Sequence, residues 1–180
     1  MIISEKLQIL KKEILFNFEI LMIQKTALFF FLLALTSCSN IGHSVPSFNL
    51  VTIEGKNISE ADLSGKITVI NVWATWCPNC LNELAELNKL AALYKGDTSI
   101  VFLAVSDETP EKIKAFLDRK AFNFIHIPKG QKFTEGLQTR MVKTYPQLVV
   151  LGKDLKIVFE NSGELDNACK ILDKEIKSLR

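Results

Sequence analysis

The chain is poor in several things at once. Four cysteines among 180 residues are too few for a disulfide-stapled scaffold of this length. Twenty-two basic residues against 20 acidic ones leave a formal charge of only +2, so there is no basic field of the kind that holds nucleic acid. The apolar run near the N-terminus extends only from Ala27 to Leu35, well short of the roughly 20 residues a membrane-spanning helix needs. There is no internal repeat and no low-complexity tract. What is present is an apolar fraction of 48%, which excludes a disordered chain and is enough for one domain with its own core.

Lys25, the short apolar segment and the small residues Thr36-Ser37 before Cys38 have the order of a secretory signal. The ending Leu35-Thr36-Ser37-Cys38 resembles the lipobox of bacterial lipoproteins. That resemblance implies that Cys38 becomes the first mature residue and carries lipid; a plain signal peptide or an uncleaved anchor is the alternative, and either exports the domain. Met22 makes a more ordinary start than Met1, and residues 1–21 receive no function. The expected organisation is a signal region over 1–37, a lipidated tether over 38–46 and a single domain over 47–180.

Within that domain, Ser47–Ile53 alternates and meets Glu54-Gly55, a strand running into a turn. Lys66–Trp73 is a continuous, β-branched apolar run, the pattern of a strand covered on both faces. Pro78 to Tyr94 carries Leu81, Leu84, Leu87 and Leu90 at helical spacing and ends near Gly96. Ser99–Val105 is a second buried strand, and Thr109-Pro110-Glu111 opens a helix with a cap residue, proline and early acid. A short strand at Phe124–Ile127, a helical turn around Glu135 to Val142, a hairpin of Gln147–Leu151 with Lys156–Phe159, and a closing helix from about Glu164 to Leu179 complete the series. The fold class is α/β, with a central mixed β-sheet flanked by helices.

The one motif of high information is Trp73-Ala-Thr-Trp-Cys-Pro-Asn-Cys80. Cys77 and Cys80 directly follow a buried strand and stand at the start of a helix. There the unpaired N–H groups and about half a positive charge favour thiolate over thiol, and in such motifs the thiol pKa falls from about 8.5 to roughly 3.5–7.5. The spacing lets the second sulfur reach the first within one helical turn, and Pro78 suits the first turn because its missing N–H costs nothing there. Cys77 is expected as the exposed attacking thiol and Cys80 as the more buried resolving one. Two other readings compete. A structural zinc site needs about four ligands, whereas Cys169, His43 and His126 stand at no ligand spacing, so no metal is expected. A purely structural disulfide would not require the strand–CxxC–helix setting.

Val72-Trp-Ala-Thr-Trp-Cys-Pro-Asn-Cys80 resembles the FWATWCPPC signature of the thioredoxin-like superfamily, within it the TlpA/ResA group of exported thiol–disulfide oxidoreductases. The resemblance spans about Pro46 to Leu179 and implies a thioredoxin-like fold. Asn79 replaces the second proline in the dipeptide that tunes redox potential. Tyr145-Pro146 occupies the place of the family's cis-proline loop, which pairs with substrate, and Trp76 is expected to shield one side of the site. The buried aspartate that thioredoxins carry six residues before the first cysteine is Asn71 here, unable to act as acid or base. Glu83, three residues after Cys80, matches a glutamate of ResA-like members and could take the resolving thiol's proton; a solvated helix-face glutamate is its alternative, and Glu86 is the weaker candidate. Ala85 stands where the family often has proline.

Taken together, the expected protein is an enzyme without cofactor: a lipid-anchored, periplasm-facing monomer that exchanges disulfides with protein substrates. The resemblance favours reduction, re-reduction by a membrane electron donor, and a place in cytochrome c maturation. Two rivals share the fold. A peroxiredoxin-type peroxidase places Thr or Ser three residues before its cysteine, where this chain has Ala74, with Thr75 one step off. A copper-binding module of the Sco type uses CxxxC rather than CxxC. Cys169, on the stripe Leu165, Cys169, Leu172, Ile176 and Leu179, reads as a small core residue.

Overall fold

The computed structural model describes Val45, residues 47–137 and residues 144–180, all within the unit Gly42–Arg180. Cys38, the signal region, the rest of the tether and the part of the expected helical turn beyond Leu137 lie outside the described residues. In chain order the elements are β1 (Asn49–Val51), β2 (Asn57–Ser59), α1 (Glu60–Leu63), β3 (Ile67–Val72), α2 (Pro78–Leu93), β4 (Ile100–Val105), α3 (Pro110–Leu117), β5 (Ile125–Ile127), α4 (Gln131–Leu137), β6 (Gln147–Leu151), β7 (Ile157–Ser162) and α5 (Ala168–Ser178). Among the described residues no helix is long and apolar enough to cross a membrane.

The central sheet has the order β5-β4-β3-β6-β7. β3 and β4 run parallel, as do β4 and β5, whereas β3 and β6, and β6 and β7, are antiparallel. The mixed sheet expected from the sequence is therefore present, and a separate two-stranded ribbon of β1 and β2 accompanies it. β3, in the middle, is buried at every position, which is why its sequence reads as an unbroken apolar run rather than an alternation.

Alternate residues of β3 feed different cores, as the period of two requires. Ile67 and Val69 join Leu84, Leu87 and Leu90 of α2, Ile113 and Phe116 of α3, and Leu172 and Ile176 of α5. Ile70 and Val72 join Leu63, Phe133 and Leu137 on the opposite side. Trp73, just past the end of β3, is fully buried and packs edge-on against Phe116, Phe122 and His126 at centroid distances of 5.1, 5.3 and 5.7 Å. Truncating a buried tryptophan of this kind costs about 3–5 kcal/mol. The loop that carries Cys77 thus starts from one of the most tightly held side chains in the fold.

Two sequence expectations shift. The closing helix begins at Ala168, not near Glu164. Asn167, directly before the helix, sits in the left-handed region at φ 57°, a conformation asparagine tolerates and one that a right-handed helix cannot run through. The ribbon strand β2 and helix α1 were not anticipated; Ser59 donates from both its N–H and its hydroxyl to Asp62 Oδ2 at 2.8 and 2.7 Å, a turn contact that starts α1.

Candidate active site

Cys77 is the N-cap of α2, with extended backbone (φ −86°, ψ 109°) and Pro78 immediately after it. Its Sγ accepts the N–H of Cys80 at 3.1 Å, which satisfies one of the unpaired donors of the first turn. Cys77 and Cys80 are joined as a disulfide with Cα atoms 5.3 Å apart. Cys77 is only 3% exposed, against 1% for Cys80. The expectation of an exposed Cys77 beside a buried Cys80 is corrected for this oxidised form: the N-cap sulfur turns inward over the first helical turn, so both sulfurs are covered.

Three segments surround the pair. In the loop before Cys77, Trp76 is 65% exposed, and its ring meets that of Tyr145 at 5.6 Å in an edge-on arrangement. The Tyr145–Pro146 peptide bond is cis, and Gln147, next in the chain, pairs with Val72 at the end of β3. That register sets the proline turn beside the loop that leads to Cys77. Trp76, Tyr145 and Pro146 are thus brought into one neighbourhood with the cysteines.

Glu83 lies one helical turn beyond Cys80 and is buried, 3% exposed. The solvated helix-face alternative is excluded by that burial. Its Oε1 accepts the N–H of Leu165 at 2.5 Å, while Oε2 is buried with no hydrogen-bond partner among the described residues. Burial raises its pKa from 4.5 to about 7; the Leu165 amide works in the opposite direction, and neighbouring Glu164 adds to the rise. A carboxyl poised near neutral pH suits a proton acceptor. Gly163, two residues before Leu165, donates its N–H to the Pro146 carbonyl at 2.8 Å, so one short loop touches both Glu83 and the cis-proline.

The third segment, the loop between β4 and α3, was missed by sequence reasoning. Glu108 accepts the N–H of Thr75 at 2.7 Å and its hydroxyl at 2.9 Å, and Asp107 accepts the hydroxyl of Tyr145 at 2.7 Å. A signal did exist: two acids, separated by Ser106 alone from a parallel strand adjacent to β3, stand at the carboxyl edge where open α/β sheets place their sites.

The remaining sequence candidates stand apart. Glu86 is half-buried and lies 3.9 Å from Lys89. Cys169 is buried in the core, where burial pushes its thiol pKa up. His126 is buried, its Nε2 is 2.9 Å from the Phe122 carbonyl, and burial holds its pKa below the ordinary value. Asn71 is buried, with Nδ2 unpartnered among the described residues. With Ala85 in place of proline, α2 continues unbroken from Pro78 to Leu93.

A cysteine pair closed across the first turn of a helix, at the end of the central strand of a five-stranded mixed sheet, defines a thiol–disulfide oxidoreductase of the thioredoxin-like class. Residues 41–160 match the AhpC/TSA family, and the chain belongs to that thioredoxin-like family. It is 34% identical over 125 residues to the thiol-disulfide oxidoreductase ResA of Bacillus anthracis, an alignment covering 69% of this chain and 70% of that protein. Over 52 residues, 28% of this chain and 29% of the other, it is 54% identical to the thiol:disulfide interchange protein DsbE of Pseudomonas fluorescens biotype C. Its fold matches the crystal structure of a thiol:disulfide interchange protein of the thioredoxin family from Chlorobium tepidum TLS, with a TM-score of 0.66, 20% identity, and coverage of 79% of this chain and 99% of that one.

Proposed function

We propose that this oxidoreductase works as a reductase of disulfides in exported proteins. The observation that carries the reading is the Cys77–Cys80 disulfide at the N-terminus of α2 with the buried Glu83 carboxyl one turn away. In the reduced protein the Cys77 thiolate attacks one sulfur of a substrate disulfide. A mixed disulfide forms and the first substrate thiolate leaves, taking up a proton. Cys80 gives its proton to Glu83 and attacks Cys77 Sγ, which releases the second substrate thiolate and closes the Cys77–Cys80 disulfide. Two electrons pass to the substrate; its first thiolate takes a proton from solvent, and its second takes the Cys80 proton back from Glu83. Trp76, Tyr145 and cis-Pro146 form the surface against which the substrate backbone lies.

The likeness to ResA and DsbE proteins supports placing the domain in the cell envelope, facing the periplasm; the lipobox-like Leu35-Thr36-Ser37-Cys38 is what supports lipid on Cys38 as its tether, and the domain works there as a monomer. A membrane electron donor returns Cys77–Cys80 to dithiol, and cysteines of c-type cytochromes awaiting haem are among the substrates. The peroxidase rival gains no support from Thr75, whose hydroxyl is committed to Glu108.

The test is the reduction potential of Cys77–Cys80 by equilibration with glutathione or dithiothreitol. A value near −270 mV or lower fits a reductase, and one near −120 mV makes the protein an oxidant and overturns the proposed direction.

A further inference from the structure

The rim of the site contains a contact that no step of the exchange uses. Tyr145, the residue before cis-Pro146, has its ring edge-on to Trp76 at 5.6 Å and its hydroxyl on Asp107 Oδ2 at 2.7 Å. Trp76 is 65% exposed, so on its own it is a loosely held side chain, free to sample rotamers. Its partner ring is not loose. One end of Tyr145 continues into a peptide bond whose proline carbonyl is tied to Gly163 N–H at 2.8 Å, and the other end is tied to Asp107. The next residue, Glu108, takes both polar hydrogens of Thr75, directly before Trp76. Two adjacent acids on the β4–α3 loop therefore hold the two sides of one aromatic pair, Asp107 through Tyr145 and Glu108 through Thr75.

We infer that Asp107 is a positioning residue that fixes the Tyr145 ring against Trp76 and so preorganises the wall on which a substrate's backbone docks beside cis-Pro146. The inference rests on the proposed binding role of Trp76, Tyr145 and Pro146. Asp107 acts through Tyr145, whose hydroxyl it holds. The physical reason for an effect on binding is entropic. A ring held at both ends loses little freedom when substrate arrives, whereas a ring released at its hydroxyl must be ordered by the substrate. Ordering one such side chain costs about 0.5–1.5 kcal/mol, which corresponds to about a two- to tenfold loss of affinity.

The experiment mixes the reduced, dithiothreitol-free protein with excess of a synthetic peptide bearing one intramolecular disulfide. Tryptophan fluorescence follows closure of Cys77–Cys80 over a range of peptide concentrations. Asp107→Ala is expected to raise the half-saturating peptide concentration about two- to tenfold, with the larger part of the change in that concentration and not in the plateau rate. Reduction of its Cys77–Cys80 disulfide by dithiothreitol, which needs no aromatic wall, should stay within about twofold of the parent protein. Tyr145→Phe, which keeps the ring and removes the donor, should reproduce the Asp107→Ala effect, and the double variant should be no worse than either single one. Asp107→Asn retains an acceptor oxygen and should behave as the parent, a rescue that a role through charge alone would not give. Tyr145→Phe and Asp107→Asn carry the test if Asp107→Ala folds poorly. The inference is overturned if Asp107→Asn is as impaired as Asp107→Ala, if the two single effects multiply, or if Tyr145→Phe binds peptide as well as the parent. A parent protein that leaves the peptide disulfide intact at every concentration overturns the reductase reading as well, whereas a parent that reduces it and an Asp107→Ala variant indistinguishable from it overturn this inference alone.

Discussion

Leu165 donates its backbone N–H to the carboxylate of Glu83 at 2.5 Å, across 82 residues of sequence. The contact satisfies one oxygen of a buried acid and leaves the other, Oε2, without a partner among the described residues. One hydrogen bond thus ties the acid beside Cys80 to the loop after β7.

Glu83 makes stability depend on pH with a sign opposite to that of most carboxylates. Its pKa is raised from 4.5 to about 7, chiefly by burial, so the folded protein keeps its proton where the unfolded chain has lost it. The stabilisation is fully present below about pH 4.5 and is lost as pH rises through about 7. The total is up to about 3 kcal/mol, from a rise of about two and a half pKa units. Glu83→Gln has no such titration and should gain stability over the parent progressively across that window. Urea unfolding of both proteins at pH 4, 6 and 8 measures this, and a stability difference that does not change with pH would sink the assignment.

The same variant separates binding of substrate from release of product. With no carboxylate to take the Cys80 proton, Glu83→Gln should form the mixed disulfide at a near-normal rate and resolve it about a hundredfold more slowly, the lower end of the usual range for a positioned base. Acid quenching followed by mass spectrometry counts the trapped species. Resolution at the parent's rate would remove Glu83 from the reaction.

Cys80→Ser leaves the attacking thiol and removes the resolving one. Protein substrates should then accumulate as mixed disulfides on Cys77 and disappear on treatment with dithiothreitol, visible on non-reducing gels. The doubly substituted Cys77→Ser/Cys80→Ser protein should trap none. If Cys80→Ser captures nothing in the envelope fraction, proteins are not the substrates.

Glu108 braces the cysteine loop through two hydrogen bonds to Thr75. Bonds to a charged group contribute about 1.5–3 kcal/mol when sheltered, and Glu108 is half-exposed, so Glu108→Ala should cost about 1 kcal/mol of unfolding free energy. Glu108→Gln, which retains an acceptor, should lose less. Denaturant titration of the oxidised forms decides it, and equal stability in all three proteins would mean that the brace contributes nothing.

Membrane attachment is tested on Cys38. Cys38→Ala should move the protein from the membrane fraction to the soluble one, with the activity of the domain intact. Retention in membranes would show that lipid on Cys38 is not the anchor.

The chemistry of this chain was legible because its determinants are local. A β-branched run, a tight loop and a helix opening on Cys77-Pro78 fall within about fifteen consecutive residues, and the geometry of a helix N-terminus follows from the backbone alone. The central strand β3, the long helix α2 and the hairpin of β6 and β7 were readable for the same reason: each carries its own periodicity. Asn167 and Leu165 show the limit. The 4-3-4-3 apolar stripe that starts at Leu165 predicts a helix from about Glu164, but Asn167 stands in the left-handed region, which a right-handed helix cannot run through, and the helix starts four residues late, at Ala168.

By itself, then, the sequence determined that two cysteines would face each other across one helical turn at the end of a buried strand, and hence the class of reaction. Only the tertiary structure decided how that pair is served. Thr75 meets Glu108 across 33 residues, Tyr145 meets Asp107 across 38, and Leu165 meets Glu83 across 82. No periodicity encodes such contacts. They arise because β3, β4 and β6 lie side by side in the sheet and deliver their loops to one edge. Burial there turned an ordinary-looking helical glutamate into a carboxyl that holds its proton up to neutral pH.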